Sequence, residues 1–387
     1  MDASSWRLTG GTALLEDGLR REEIMLEGGA ISSRATMPQG GGFAFDATGL
    51  WVLPGIVDIH GDAHERQLQP RPGVELPTGL ALRDSAAQLA AAGITTAYLG
   101  VTLSWEPGLR SIAAWRDLLG VLEQERPRAA TDLRVHLRFE ADNFDALDDA
   151  LGAIEGGKVD LLAFNDHTPA ILRRLDEPKQ LAKYAGRAGM APAEYAALAR
   201  RIGERRPEVP AVRARMAAAA HAAGLPMLSH DDASIEERSY FRGLGASICE
   251  FPMAEEVAAF AREAGEAVVM GSPNVVRGGS HLGWASAAPL AERGLVTVLA
   301  SDYAWPAMLQ AAFTLAGRGE LGFAPCWALV SANPAAALGL ADRGRIAPGL
   351  RGDVVVVDPA VPRVVASFCG GRLAWISPEG AGRLRSC

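Results

Sequence analysis

LPGIVDIHGD at residues 53–62 joins a Pro-Gly turn to an apolar run that ends on His60 and Asp62. Such a run has the length and composition of a buried strand. In extended backbone, residues two apart project to the same side, so this pair can be offered to one metal ion. Strand-like runs recur at 94–101 (ITTAYLGV), 133–140 (LRVHLRFE), 160–166 (DLLAFND), 225–230 (LPMLSH), 246–251 (ASICEF), 267–271 (AVVMG) and 295–302 (LVTVLASD). Between them lie Ala-, Leu- and Arg-rich stretches with helical character, such as LALRDSAAQLAAAG and VRARMAAAAHAAG. Eight strands alternating with helices indicate parallel βα units, and a closed (β/α)8 TIM barrel fits them better than an open sheet.

Outside this middle, residues 6–54 alternate with period two and are broken by Gly clusters, one of them the Gly run at 40–42, which reads as a turn. The far C-terminus has the same style, with DVVVVDP, PRVVASFCGG and RLAWIS separated by Pro and Gly. The expected organisation is therefore a small β-sandwich domain from 1–52 plus 345–387, with the barrel over 53–344. A length of 387 residues suits one barrel and one smaller companion.

With 49% hydrophobic and 22% charged residues the chain is an ordinary globular sequence. A formal net charge of -8 argues against nucleic acid as partner, because counterion release needs an excess of basic groups. A focal cationic pocket for an anionic small molecule remains compatible with that total. Cys249, Cys326, Cys369 and Cys387 are scattered without a CxxC pair, as expected of reduced thiols. The N-terminus lacks a basic segment followed by an apolar core, and no run of about 18 residues reads as a membrane span. A cytoplasmic protein is expected, and a homo-oligomer is compatible with the sequence.

In an α/β barrel the chemistry sits where strands end and loops begin. His60 and Asp62 follow the first strand, Glu140 ends the third, His230 the fifth and Asp302 the eighth, while His167 lies just past the fourth. Imidazoles and carboxylates together suit Zn²⁺ or Mn²⁺, one or two ions. Taken singly, each has a bland reading: a hydrogen-bonded structural His, or an Asp capping a helix at 62, 231 or 302. Capping residues, however, have no reason to converge on one end of a barrel. Glu250 in ICEFP reads as a carboxylate that orients a ligand, His136 and His221 as packing or surface residues. Glu65 is a candidate contact to substrate or metal, and for His64 beside it simple exposure is one open reading. NVVRGGSHLG at 274–283 combines Arg277, two glycines, Ser280 and His281, a grouping able to bind phosphate oxygens through N–H groups and positive charge. Arg71, between prolines in PRPG at 70–73, offers a second basic loop.

These motifs, together with LQPRPGV (68–74), NDHTP (165–169), LSHDD (228–232), GSPNVVRGGSH (271–281), LASDY (299–303), LQAAF (309–313) and ANPAAALGL before GRIAPGLRGDVVVVD, form an ordered series along the whole chain. The series resembles the PhnM family of the amidohydrolase superfamily, phosphonate-pathway enzymes of the carbon–phosphorus lyase route. The resemblance implies a divalent-metal phosphohydrolase that cleaves α-D-ribose 1-methylphosphonate 5-triphosphate to the 5-phosphate and pyrophosphate. It further implies that Asp302 is the general base and that Glu140 stands where related enzymes hold metal with a carboxylated lysine or glutamate. The chain departs from the family after the first strand, where HTDNLEKH is usual. Here Ala63 replaces the Asn and Gln67 the last His, while the metal pair and Glu65 are kept. The competing expectation is an amidohydrolase acting on a C–N bond, for which Arg71 and Arg277 would be dispensable. A noncatalytic barrel protein is disfavoured by retention of the whole donor set.

Overall fold

A computed structural model of the protein describes residues 5–33, 42–71, 73–279 and 285–386. Eight parallel strands make one sheet: β1 (Ile56–Gly61), β2 (Ile94–Leu103), β3 (Asp132–Glu140), β4 (Leu161–Asn165), β5 (Met227–His230), β6 (Ile248–Glu250), β7 (Ala267–Gly271) and β8 (Val298–Ala300). Their order in the sheet is their order in the chain, as a barrel of right-handed crossovers requires. Most positions in these strands are buried, which accounts for their nearly continuous apolar runs. The barrel closes through a parallel bridge between Gly61 and Asp302, where Asp302 N–H donates to His60 O and Asp62 N–H to Asp302 O, both at 2.9 Å. The expected last strand, 295–302, is paired regularly only over Val298–Ala300, because the chain turns at Asp302 with φ 55°.

Both chain ends contribute to both sheets of the β unit. Leu384–Ser386 pairs with Phe43–Asp46 in a five-stranded sheet, and Val354–Asp358 with Trp51–Pro54 in a six-stranded one. Trp6, Phe45 and Phe368 meet edge to face between the sheets, within an apolar cluster that includes Leu8, Leu26 and Val356. Aromatic and aliphatic residues at alternating positions form that interior.

A helical insertion between β4 and β5 was not foreseen in detail. Helices Thr168–Arg173, Pro178–Ala188, Pro192–Gly203 and Val209–Ala222 separate the two strands. The second and third each begin with Pro in the first turn, where the missing N–H costs nothing. The insertion has its own small core around Ile171, Ala185, Tyr195 and Ala199. It overhangs the end of the barrel where β3, β4 and β5 finish.

Candidate active site at the barrel mouth

Glu250, fully buried at the end of β6, organises the mouth. His60 Nδ1–H donates to its Oε1 at 2.9 Å and His230 Nδ1–H to its Oε2 at 2.8 Å, and the two rings stack 5.8 Å apart and nearly parallel. A carboxylate on each Nδ1 selects the tautomer that leaves Nε2 with a free lone pair. Burial, followed by the nearby charge of Arg138, pushes the His60 imidazole down to about 3. Burial lowers His230 to about 3 as well, against the opposing pull of Glu250. Both rings are therefore neutral at pH 7, the form a metal needs.

Three groups of donor atoms each lie within 4.8 Å of one another: the buried His60, His136 and Glu250, then His167 with His230 and Asp231, and, as the second group facing the mouth, His60 with Asp62 and Asp302. Glu140 adjoins the His167 group, its Oε1 accepting from His167 Nδ1 at 2.5 Å and its Oε2 from His167 N–H at 3.1 Å. Burial tends to raise the Glu140 carboxyl, but His167's charge and hydrogen bonds outweigh it and hold it at about 2. Asp302 moves the other way, raised to about 7 by burial first and Asp62 second. This donor set fits one or two divalent ions: imidazole nitrogens fixed by a carboxylate, and several carboxylates converging in one buried place.

The local backbone explains the convergence. Asp231, Phe251 and Asp302, each just past a barrel strand, are the non-glycine residues with positive φ among those described. Such strained positions turn side chains back across the mouth and are held there by surrounding packing. Phe251 packs its ring 5.1 Å from His60 and 5.4 Å from His230. Gly61 sits between the first two donors because nothing larger fits: a Cβ there would lie 2.7 Å from Ser301 Oγ and 2.8 Å from Asp58 Oδ2.

The remaining candidates are distributed unevenly. Arg277, ending the helix Ser272–Arg277, lines a cavity of about 300 Å³ with His60, His230, Phe251 and Asp302, and its Nη1 lies 3.5 Å from Tyr303 Oη. Arg71 lies in an exposed turn bridged to Val74. Glu65 is gripped by Arg110 through two hydrogen bonds of 3.0 and 2.9 Å, an ion pair that leaves neither carboxylate oxygen unengaged. Ser280 and His281 fall outside the described residues. His64, for which exposure was one open reading, is only 2% exposed at the start of the short helix Glu65–Leu68. The surface reading is thereby removed, and burial lowers its imidazole pKa.

A relative in sequence carries the decisive likeness. Over 359 residues the chain is 32% identical to alpha-D-ribose 1-methylphosphonate 5-triphosphate diphosphatase of Escherichia coli (strain K12), covering 89% of this chain and 92% of that protein. The chain belongs to the α-D-ribose 1-methylphosphonate 5-triphosphate diphosphatase family. No protein-family profile matches it. Solved structures place this diphosphatase-family member in the amidohydrolase fold: an amidohydrolase from an environmental sample of the Sargasso Sea (TM-score 0.62, 17% identity, 96% of this chain and 93% of that one) and molinate hydrolase (TM-score 0.62, 15% identity, 96% and 95%). At such identities they speak for the fold alone.

Two residues of the diphosphatase-family site escaped the sequence reading as site residues. Arg138, 6% exposed on β3, points its guanidinium into the mouth, with Nη1 3.4 Å from Asp62 Oδ2 and Nη2 3.2 Å from His230 Nε2. Its signal was present in LRVHLRFE, where 136, 138 and 140 share a face and a charged residue in a buried strand asks for a reason. Its stem is admitted by Gly100 on β2, whose Cβ would approach Arg138 Cδ to 3.3 Å. Asp231, read only as a capping residue, joins His167 and His230.

Proposed function

We propose that this chain is a divalent-metal phosphohydrolase that converts α-D-ribose 1-methylphosphonate 5-triphosphate to α-D-ribose 1-methylphosphonate 5-phosphate and pyrophosphate. The observation that carries the reading is the meeting of a Glu250-anchored imidazole and carboxylate cluster with an arginine-lined mouth in a member of the diphosphatase family. His60, Asp62, Glu140, His167, His230 and Asp302 would hold one or two ions, zinc or manganese. A divalent ion there supplies Lewis acidity that makes water nucleophilic near neutral pH and offsets charge on phosphorus. Asp302 accepts the water's proton, since its carboxylate faces His60 and Asp62 at the mouth, within reach of a water held there. Glu250 keeps both Nε2 atoms turned to the mouth. Arg138 places positive charge where phosphate oxygens gather, which favours a state with charge spread over them, and Arg277 offers a second guanidinium to an anionic group of the substrate in the adjoining cavity. Ser280 and His281, outside the described residues, are proposed contacts to the substrate's anionic groups, and Glu65 acts through Arg110. We place the boundaries of the β unit at 1–52 plus 345–387 and the enzyme in the cytoplasm. Hydrolysis of a C–N bond, the other chemistry these donors allow, leaves the arginines without a role.

Asp302→Asn should keep its fold and metal but lose turnover of the triphosphate by about 10²–10⁴-fold, because the amide cannot take the proton. Near-parental turnover in steady-state assays removes Asp302 from the role. A parental metal content in the double variant His60→Ala, His230→Ala, read by elemental analysis, removes the ligand set.

A further inference from the structure

The mouth has two lobes that share Arg138, His230 and Asp231. One is the 300 Å³ cavity with Phe251, Met270, Arg277 and Tyr303. The other, of about 900 Å³, runs from Asp62, Glu140 and His167 outward beneath the helical insertion. Arginines line this larger lobe, but most already have carboxylate partners. Arg187 is held by Glu106 at 2.6 Å, Arg206 by Asp142 and Asp166, and Arg213 by Asp166 at 2.7 Å. Arg110 holds Glu65 and Arg138 faces Asp62. Arg173 and Arg174 differ. Both are exposed on the lobe's wall at the end of the helix that starts beside His167, and among the described residues neither has an ion-pair partner. Two glutamates, Glu236 and Glu237, also line the lobe on the first turn of Ile235–Gly243, where Glu237 accepts from Ala233 N–H at 2.8 Å.

We infer that Arg173 and Arg174 bind the β- and γ-phosphates, so that the pyrophosphate half of the substrate fills the larger lobe while the ribose and methylphosphonate fill the smaller one against Phe251, Met270 and Arg277. The inference rests on the phosphohydrolase reading and adds a direction to it. The partly apolar walls of the smaller lobe suit a sugar and a methyl group. Two uncommitted guanidiniums suit the most highly charged part of the molecule, since each can give paired N–H donors to phosphate oxygens. The reacting α-phosphorus then lies at the shared wall. Water's oxygen bonds to that phosphorus, the bond from it to the bridging oxygen breaks, pyrophosphate leaves with the electron pair, and the proton passes to Asp302.

Inorganic pyrophosphate and methylphosphonate, titrated separately into metal-loaded enzyme by calorimetry, test this. Metal content is measured after each run so that chelation is not mistaken for binding. The double variant Arg173→Ala, Arg174→Ala should bind pyrophosphate about 10- to 100-fold more weakly, as expected for lost charge-assisted hydrogen bonds, with methylphosphonate unchanged. Arg277→Ala should show the reverse pattern, and Arg173→Lys, Arg174→Lys should recover part of the pyrophosphate affinity. Parental pyrophosphate binding in the double alanine variant overturns the inference, as does loss of pyrophosphate binding in Arg277→Ala alone. Failure of the parent to turn over the triphosphate, with pyrophosphate still bound through Arg173 and Arg174, would overturn the substrate assignment and leave the anion site standing.

Discussion

At the scale of single residues, Glu250 has the widest reach, because one carboxylate sets the tautomer of two imidazoles on different strands. Glu250→Gln retains the shape but replaces one acceptor oxygen by an N–H₂ group, so His60 or His230 loses its anchor. Removal of such an orienting partner typically weakens metal binding about 10- to 100-fold. Competition with a chromophoric chelator should show that drop while circular dichroism stays parental, and an unchanged affinity would show that Glu250 does not orient the ligands. Arg138 makes a complementary point about charge. It brings a guanidinium among carboxylates that burial would otherwise neutralise, and it lowers both Asp302 and Glu140 from where burial alone would put them.

At the scale of elements, the site depends on how β1 meets β8. The bridge from Gly61 to Asp302 ties the first donor pair to the proposed base, and it exists because Gly61 lets Ser301 and Asp58 approach. Asp58 accepts from Ser301 N–H at 3.0 Å and from Ser301 Oγ at 2.6 Å, a buried clasp under that seam. Gly61→Ala should therefore cost about 1–3 kcal/mol by overpacking and weaken metal binding together with stability. Gly120→Ala, in the helix Ile112–Glu125 with open space around it, is the matched control and should be neutral or slightly stabilising. Urea unfolding of both checks the contrast. Equal stability of the two variants would mean that β1 and β8 tolerate separation at this seam.

At the scale of the whole molecule, the two chain ends are interdependent. A chain stopped after Asp358 lacks Arg363–Cys369, which pairs with Val354–Asp358, and lacks Phe368, which packs on Trp6 and Phe45. Losing a buried aromatic alone costs about 3–5 kcal/mol, a large share of a typical stability of about 5–15 kcal/mol. The truncated chain should unfold at lower temperature, without a single cooperative transition, and should bind a hydrophobic dye. Scanning calorimetry with a parental transition would show that the barrel does not need the β unit. Among the described residues no helix is long and apolar enough to cross a membrane.

The barrel was legible from LPGIVDIHGD onward because parallel strands buried on both faces must be apolar along their whole length, and because helices alternate with them at readable intervals. The proposed donors His60, Asp62, Glu140, His167, His230 and Asp302 were legible as candidates for a related reason, since each is a polar residue placed at or just past the point where an apolar run stops. Tertiary structure alone decided which of their atoms face one another. The pairing of His60 and His230 on Glu250 joins residues 190 and 20 positions apart from that carboxylate, a relation no local pattern carries. It also decided that, among the described residues, Arg173 and Arg174 have no ion-pair partner while Arg187, Arg206 and Arg213 do, because carboxylate partners for arginines so close in sequence come from distant strands and loops. The burial of His64 and the capture of Glu65 by Arg110 belong to the same class. Periodicity records which face of an element is buried, whereas charge pairing depends on which elements the closed barrel brings side by side.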